Sequence, residues 1–461
     1  MAQAVVPFAK AVGANPHGAS DELLDDIERR ACLYFYEMAD PATGLVLDRA
    51  VVDLPYSPGA SSIAALGFGL SGLCIADRRG YLDRGLLKAR VERTLDSLCN
   101  RVEHEHGFFY HFLDSAKCTR IWKSEVSSID SAFLLCGVLH TKAYWDDNGI
   151  REMASQLLNR ADWRWMLNGG QMLSHGWVPE TGFLPYRWDA YSELLAMYLL
   201  ALSSESHPIP PACWNSWRRP MSDYEGIFFI DAGAPLFVHQ YSHAWFDFRD
   251  RVDHYANYFN NSQRATQAHR LYCMSLNKEY PWFGPDMWGV TASDSRKGYR
   301  VWGSPQFPPD GTLVPCAAGG SIVFLPQLCG EVLQNMKDRY GKQLWCRYGF
   351  RDAFHPGADW YGPDVIGIDL GIMLLMAENV RSLSVWTDIM GTPEAQRGFQ
   401  LAGLAHPSVE PSVTSHSEDS DHPPQPVESG NNDGSTKKAS PSHSRPRGRR
   451  SSTHAQPRET H

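Results

Sequence analysis

Three carboxylates in this 461-residue chain stand where a long apolar run begins. Asp130 lies in SSIDSAFLLCGVL, Glu193 in WDAYSELLAMYLLAL and Asp369 in GPDVIGIDLGIMLLMAENV. One such acid is ordinary, because the helix dipole and the free N–H groups of a first turn stabilise an anion. Three in the same context suggest chemistry if the fold gathers them. Two carboxyl groups in different protonation states can cleave a glycosidic bond: one protonates the leaving oxygen, and the other, ionised, acts as base or nucleophile. Glu125 stands five residues before Asp130, and Asp189 four before Glu193. Like charges at helical spacing repel. Asp189 is therefore expected to cap the helix and raise the proton affinity of Glu193. Burial adds to that effect and the helix N-terminus opposes it.

Other chemistries have weaker support. His239 and His243 in HQYSHAWFDFRDR are spaced i, i+4, but H-E-x-x-H is absent and no third ligand is apparent. They read as hydrogen-bonded structural histidines, so no metal and no cofactor is expected. Asp247, Arg249, Asp250, Arg251 and Asp253 read as an ion-pair network on a helix. PPDGT (308–312) and GGS (319–321) read as turns. G-x-x-x-x-G-K-[ST] and G-x-S-x-G are both absent, which sets aside a phosphate cradle and a serine hydrolase.

The elements that must position these residues are mainly helices. Helical patterning starts at SDELLDDIERRACLYFYEMAD, with Ser20 as N-cap. Further helices are expected over 61–78, 86–101, 128–145, 150–167, 190–202, 240–261, 263–276, 326–340 and 368–383. Several are apolar on most sides, as an inner layer covered by an outer one would be. GFFYHFL, EGIFFIDAG and HGWVP are short, isolated strand signals. About ten to twelve helices without a detectable repeat suggest an all-α toroid of two concentric rings, with an irregular bundle as the alternative. In such a ring alternate helices run the same way, so the N-termini bearing the three acids would meet at one mouth. The loop over 280–326 is too long for a plain connection and too aromatic for disorder.

The domain reading is a loose arm over 1–20, the helical domain over 21–404 and a tail over 405–461. The tail has no aromatic residue and almost no aliphatic one, so it is expected to be disordered. Its basic end, SRPRGRRSS, could touch an acidic partner, but a solvated tail is the simpler reading. A net charge of −9 argues against nucleic acid or an anionic membrane surface as partner. No stretch approaches the 18 apolar residues of a membrane span. The 10 Cys are scattered singlets, read as reduced. The N-terminus lacks a basic n-region, which reads as cytoplasmic, or as periplasmic or secreted if the start is truncated. The aromatic share of 12%, with 15 Trp, suits stacking on sugar rings as well as core packing. Trp122, Trp188, Tyr191, Trp288, Tyr299 and Trp302, together with Asp189, are the candidate substrate-binding residues.

Long stretches resemble one family. ACLYFYEMADPATGLVLDRA (31–50) is similar to the N-terminal signature of the glycoamylase-like family, an aromatic-rich helix followed by a D-P-x-T-G-L-x-x-D-R turn. In order, the matching segments are GFFYHFLD (107–114), SEVSSIDSAFLLCGVL (124–139), WDAYSELLAMYLLALSSESHPIP (188–210) and QYSHAWFDFRDRVDHYANYFNNSQRAT (240–266). WGVTASDSRKGY (288–299), DGTLVPCAAGGSIVFLPQ (310–327) and IGIDLGIMLLMAENVRSLSVW (366–386) follow. The resemblance covers residues 22–404 and implies an (α/α)6 barrel with a cleft at one end. It further implies anomer-inverting, metal-free hydrolysis of a glucan, β-1,2-linked as in the family's endo-β-1,2-glucanases. By resemblance Glu193 is the acid of a Y-S-E motif, and Glu125 and Asp130 are cleft acids of an E-x-S-x-I-D motif. Asp369, the acid of an I-D-x-G motif, stands on the base side; Asp369 or Asp130 is expected to activate water, directly or through a relay. Two departures are visible. Leu370 and Ile372 in IDLGI replace the polar residue and proline of I-D-Q-G-P, and Ser203-Ser204 replaces a Leu-Gly pair. The first departure supports a competing reading, a non-catalytic glycan-binding or scaffold protein; a transglycosylase is a third. An oligo- or polysaccharide is the expected partner. Nothing in the sequence specifies an oligomeric state.

Overall fold

The computed structural model of the chain describes residues 20–233, 235–303 and 308–407. The expected arm before Ser20 and the expected tail beyond residue 407 lie outside the described residues. Ala405 still pairs with Val252 through two backbone hydrogen bonds of 2.8 and 2.9 Å.

The helices, in chain order, are α1 (Asp21–Glu37), α2 (Ile63–Arg79), α3 (Arg84–Asn100), α4 (Ser128–Tyr144), α5 (Asn148–Arg160), α6 (Trp163–Met166) and α7 (Leu195–Ser203). They continue with α8 (Tyr241–Trp245), α9 (Tyr258–Ser275), α10 (Pro315–Gly319), α11 (Pro326–Leu344), α12 (Gly367–Ser382), α13 (Ser384–Met390) and α14 (Pro393–Leu401). Side-chain caps start many of them: Ser20, Ser62, Asp83, Ser127 and Asp147 each accept a hydrogen bond from a first-turn N–H. Burial divides the helices into two layers. In α2 every residue from Ile63 to Ala76 is buried, and α12 is buried from Asp369 to Asn379. By contrast α5 buries only Ile150, Ala154 and Leu157, one stripe at helical spacing. The architecture is an (α/α)6 barrel whose inner layer is α2, α4, α7, α8, α10 and α12, with α12 packing back onto α2 to close it.

Close approach inside the ring depends on glycine. A Cβ on Gly137 of α4 would lie 2.1 Å from the Gly67 carbonyl oxygen of α2, and one on Gly67 would lie 2.2 Å from the Phe133 oxygen. Backbone on both sides cannot yield as a side chain tip would. Gly137→Ala is therefore expected to destabilise the fold by about 1–3 kcal/mol, overpacking outweighing the better helix propensity of alanine. Urea unfolding of the variant measures it.

Short antiparallel strand pairs fix the starts of three inner helices. Ala60–Ser62 leads into α2 and pairs with Phe112–Asp114; Val126–Ser127 leads into α4 and pairs with Gly176–Val178. Asp364–Ile366 leads into α12 and pairs with Arg49–Val51. This collar registers the helix N-termini, and with them Asp130 and Asp369.

Three expected helices differ from those observed. The helix over 240–261 is observed as α8 and the first turn of α9, and the chain between them runs irregularly from Phe246 to Asn257. The charged residues there do not form a helical ion-pair network. Asp247 accepts from the Arg249 N–H at 2.9 Å, and Asp253 from the N–H groups of Tyr255 and Ala256 at 2.7 and 2.8 Å. Such local bonds to the backbone compete with helix formation. The helix over 150–167 splits into α5 and α6 because Asp162 caps a fresh turn. The helix over 190–202 starts only at Leu195. Among the described residues no helix is long and apolar enough to cross a membrane.

Candidate active site

Asp130 is held by the cap of its own helix. Ser127 Oγ accepts from the Asp130 N–H at 3.2 Å and donates to Asp130 Oδ2 at 2.5 Å. His111, from the strand hairpin before α4, sits between two acids. Its Nδ1 is 3.1 Å from Glu125 Oε1, and its Nε2 is 3.7 Å from Asp130 Oδ1. Burial disfavours the imidazolium, but Asp130 and Glu125 outweigh it and push the His111 pKa up to about 9. Burial likewise opposes the charge on Glu125, yet the bond and charge of His111 hold this carboxyl below its usual range. Among the described residues, these three are the set whose ligand atoms could hold a metal, all within 4.8 Å of one another. Titration of the His111 ring by NMR is expected to give a midpoint near 9, against about 6.5 for a free histidine.

Glu193 lies in the turn just before α7. Ser192 Oγ donates to its Oε2, and its backbone oxygen accepts from Ser242 Oγ at 2.6 Å, which ties the turn to α8. Burial raises the proton affinity of Glu193 and the Asp130 charge adds to it, while the Ser192 bond works the other way. The expected role of Asp189 is not what the structure contains. Asp189 is 55% exposed and pairs with Arg218 Nη2 at 2.9 Å. Its backbone oxygen accepts from the Arg218 N–H at 2.8 Å, which keeps residues 188–191 extended beside that strand-like segment. It therefore caps no helix, and the like charge acting on Glu193 comes from Asp130 instead.

Asp369 is in the first turn of α12 and is 5% exposed. Cys316 Sγ donates to Asp369 Oδ1 at 3.2 Å. Burial raises the pKa of Asp369 to about 6, against the opposing influence of Asp352, Cys316 and Arg49. Asp352 lies within hydrogen-bonding reach. Arg49 Nη1 bonds both oxygens of Asp294 at 3.0 and 3.1 Å, and its Nε bonds Asp48 at 3.0 Å. The phenol of Tyr241 lies in the field of both acid loci. It is buried, and after burial the charges that hold its proton include both Asp369 and Glu193. The departures beside Asp369 lie in the packing: Leu370 is 5% exposed and Ile372 is fully buried, against Gly320.

The candidate sugar platforms separate by exposure. Trp122 is 71% exposed on a left-handed backbone (φ 53°) against Phe112, and Tyr299 is 44% exposed. Tyr299 also lies in the field of Asp369 and Asp352. Trp288 and Tyr191 are buried to 0% and 1% exposure, with no ring face left for a sugar. Tyr191 instead meets His239 Nδ1 at 3.2 Å. Trp188 stacks on His175 and donates its indole N–H to Ser128 Oγ at 2.9 Å, so it braces the start of α4. Trp302 is nearly buried, its indole 3.4 Å from Ser293 Oγ. His239 and His243 are buried and diverge, towards Tyr191 and Ser262. Sequence reasoning passed over His111, Asp352, Asp294, Arg49, Tyr241 and Cys316. All but Asp352 fall inside the stretches that carry the family resemblance, which was the available signal.

The chain as a whole is similar to several known proteins. The Glycoamylase family model, described as "Putative glucoamylase", matches residues 185–393, a span with Glu193 and Asp369. A solved structure from Bacteroides caccae with the same description is 30% identical, covering 84% of this chain and 100% of that one, with a TM-score of 0.77. The endo-β-1,2-glucanase of Chitinophaga pinensis, solved with sophorotriose and glucose, is 26% identical over 84% of this chain and 98% of that one, with a TM-score of 0.77. The exo β-1,2-glucooligosaccharide sophorohydrolase (non-reducing end) of Parabacteroides distasonis is 25% identical over 85% of this chain. The chain spans 59% of that relative's length.

Proposed function

Because the chain belongs to the glycoamylase-like family, we propose that it is a glycoside hydrolase that cleaves β-1,2-linked glucan with inversion at the anomeric carbon. One observation carries the reading: Asp369, buried in the first turn of α12, and Glu193, half-buried in the turn before α7, both hold protons more tightly than usual, and the charges of both act on the Tyr241 phenol. Glu193, whose proton is held more tightly than usual, gives it to the glycosidic oxygen as the C–O bond breaks. A water on the opposite face attacks the anomeric carbon and passes a proton to Asp369. Asp130 acts through charge, raising the proton affinity of Glu193, while His111 balances Asp130 and Glu125. Trp122 and Tyr299 offer ring faces to glucose units. The β-1,2 linkage is taken from the named activities of the relatives in Chitinophaga and Parabacteroides.

The test is incubation with linear β-1,2-glucan beside β-1,3-, β-1,4- and α-1,4-glucans, with products sized and the first-formed anomer read by NMR. Release of short β-1,2-oligosaccharides of inverted configuration is expected from the first substrate alone. Binding without release would leave a glycan-binding scaffold. Products longer than the substrate would mean transglycosylation.

A further inference from the structure

Asp352 follows the strand Gly349–Phe350 and is 4% exposed. Its Oδ2 accepts from the Asp294 N–H at 2.7 Å. The carboxyls of Asp352 and Asp369 are within hydrogen-bonding reach of each other. Each has one buried oxygen with no other partner, Asp352 Oδ1 and Asp369 Oδ2. The other two oxygens are taken, by Asp294 N–H and by Cys316 Sγ. The unpartnered pair is therefore what remains for the contact.

Two anions in contact in a buried site repel strongly. One proton between them turns that repulsion into a charge-assisted hydrogen bond and satisfies both orphan oxygens. We propose that Asp352 and Asp369 share a single proton, with Asp352 the neutral partner that donates to Asp369 and keeps it ionised as the base. The surroundings decide which residue keeps the proton. Asp369 has the Cys316 thiol as a second donor and lies in the favourable field of Arg49. Asp352 has only one backbone N–H as a fixed donor, while the charge of Asp294 acts on both carboxyls. The remaining titratable groups around the pair are the buried Tyr241, the partly exposed Tyr299, whose proton the charges of Asp369 and Asp352 help to hold, and Asp48 and Asp364, which share Arg49 with Asp294. Both Asp352 and Asp369 have raised proton affinity, as a pair that shares a proton would. Asp352 is thus a positioning residue that acts through Asp369, and its kinetic role rests on the proposed role of Asp369 as base.

The experiment uses the full chain and two substitutions. Asp352→Asn preserves the geometry, since the amide oxygen can accept from Asp294 N–H while the amide N–H donates to Asp369. Asp352→Leu removes the donor. In infrared difference spectra at pH 7, wild type minus Asp352→Asn is expected to contain the carbonyl band of a neutral carboxylic acid. Absence of that band overturns the proposal, whatever the activity. In kinetics, Asp352→Asn is expected to keep kcat within about 10-fold of wild type. Asp352→Leu is expected to lose about 10²-fold and to move the acidic limb of the pH profile up by about one unit or more. A merely structural role would not move that limb. If Asp352→Asn is as inactive as Asp369→Asn, then Asp352 works ionised and the proposal fails. If Asp369→Asn instead keeps the wild-type rate, the base assignment fails while the infrared band still reports the shared proton.

Discussion

Glu193→Gln is expected to lower kcat on linear β-1,2-glucan by about 10²–10⁴-fold, the usual worth of a positioned general acid, with little change in glucan affinity. The amide has nearly the shape of the acid and keeps the hydrogen-bonding options towards Ser192. What it lacks is a proton to give the leaving oxygen. The environment of Glu193 is set up for that gift. Burial comes first and the Asp130 charge next in making its proton harder to lose. The diagnostic comparison is a β-1,2-glucoside with a nitrophenyl leaving group, which departs without protonation. Glu193→Gln is expected to lose far less rate on that substrate than on glucan. Equal losses on both would remove Glu193 from the role of acid.

Asp369→Asn is expected to cost a similar factor, about 10²–10⁴ in kcat, because an amide cannot take the proton of the attacking water. Asp369 must be ionised to act, and its pKa is raised to about 6. Wild-type activity is therefore expected to fall as pH drops through about 6, well above where an ordinary aspartate protonates. The stability effect has the opposite sign. A carboxyl whose folded pKa is raised binds its proton more tightly folded than unfolded. Its contribution is fully present below the unfolded value near 3.9 and is lost as pH rises through about 6. At pH 8 the folded protein carries an unfavourable buried charge that the Asn variant lacks. Asp369→Asn is thus expected to be at least as stable as wild type at pH 8, by something on the order of 1–3 kcal/mol in urea unfolding. Loss of activity together with loss of stability would instead mean that the substitution breaks the fold. Raised stability with lost activity is the pattern of a site held in tension for function.

Much of the frame was legible along the chain. The inner helices α2, α4 and α12 announce themselves as runs that are apolar nearly all round, and α5 as a single stripe. These patterns are local, and burial follows them. Asp130, Glu193 and Asp369 were legible as acids at the starts of such runs, and the collar of strands does position Asp130 and Asp369. Helix limits were less legible where side chains bond their own backbone, as Asp162, Asp247 and Asp253 do.

What the sequence by itself determined, then, is the layered helical frame and the family, and it singled out three acids at helix starts as candidates. Tertiary structure decided which partner each acid meets. Asp189, four residues from Glu193, turns outward to Arg218, and the charge that acts on Glu193 comes from Asp130 on another helix. His111 joins Glu125 and Asp130, and Asp352 reaches Asp369, only because the barrel closes. The reason is physical. Periodicity along a chain reports which face is dry, since burial is roughly additive over neighbouring residues. A proton affinity instead depends on charges a few ångströms away in space, whatever their separation along the chain.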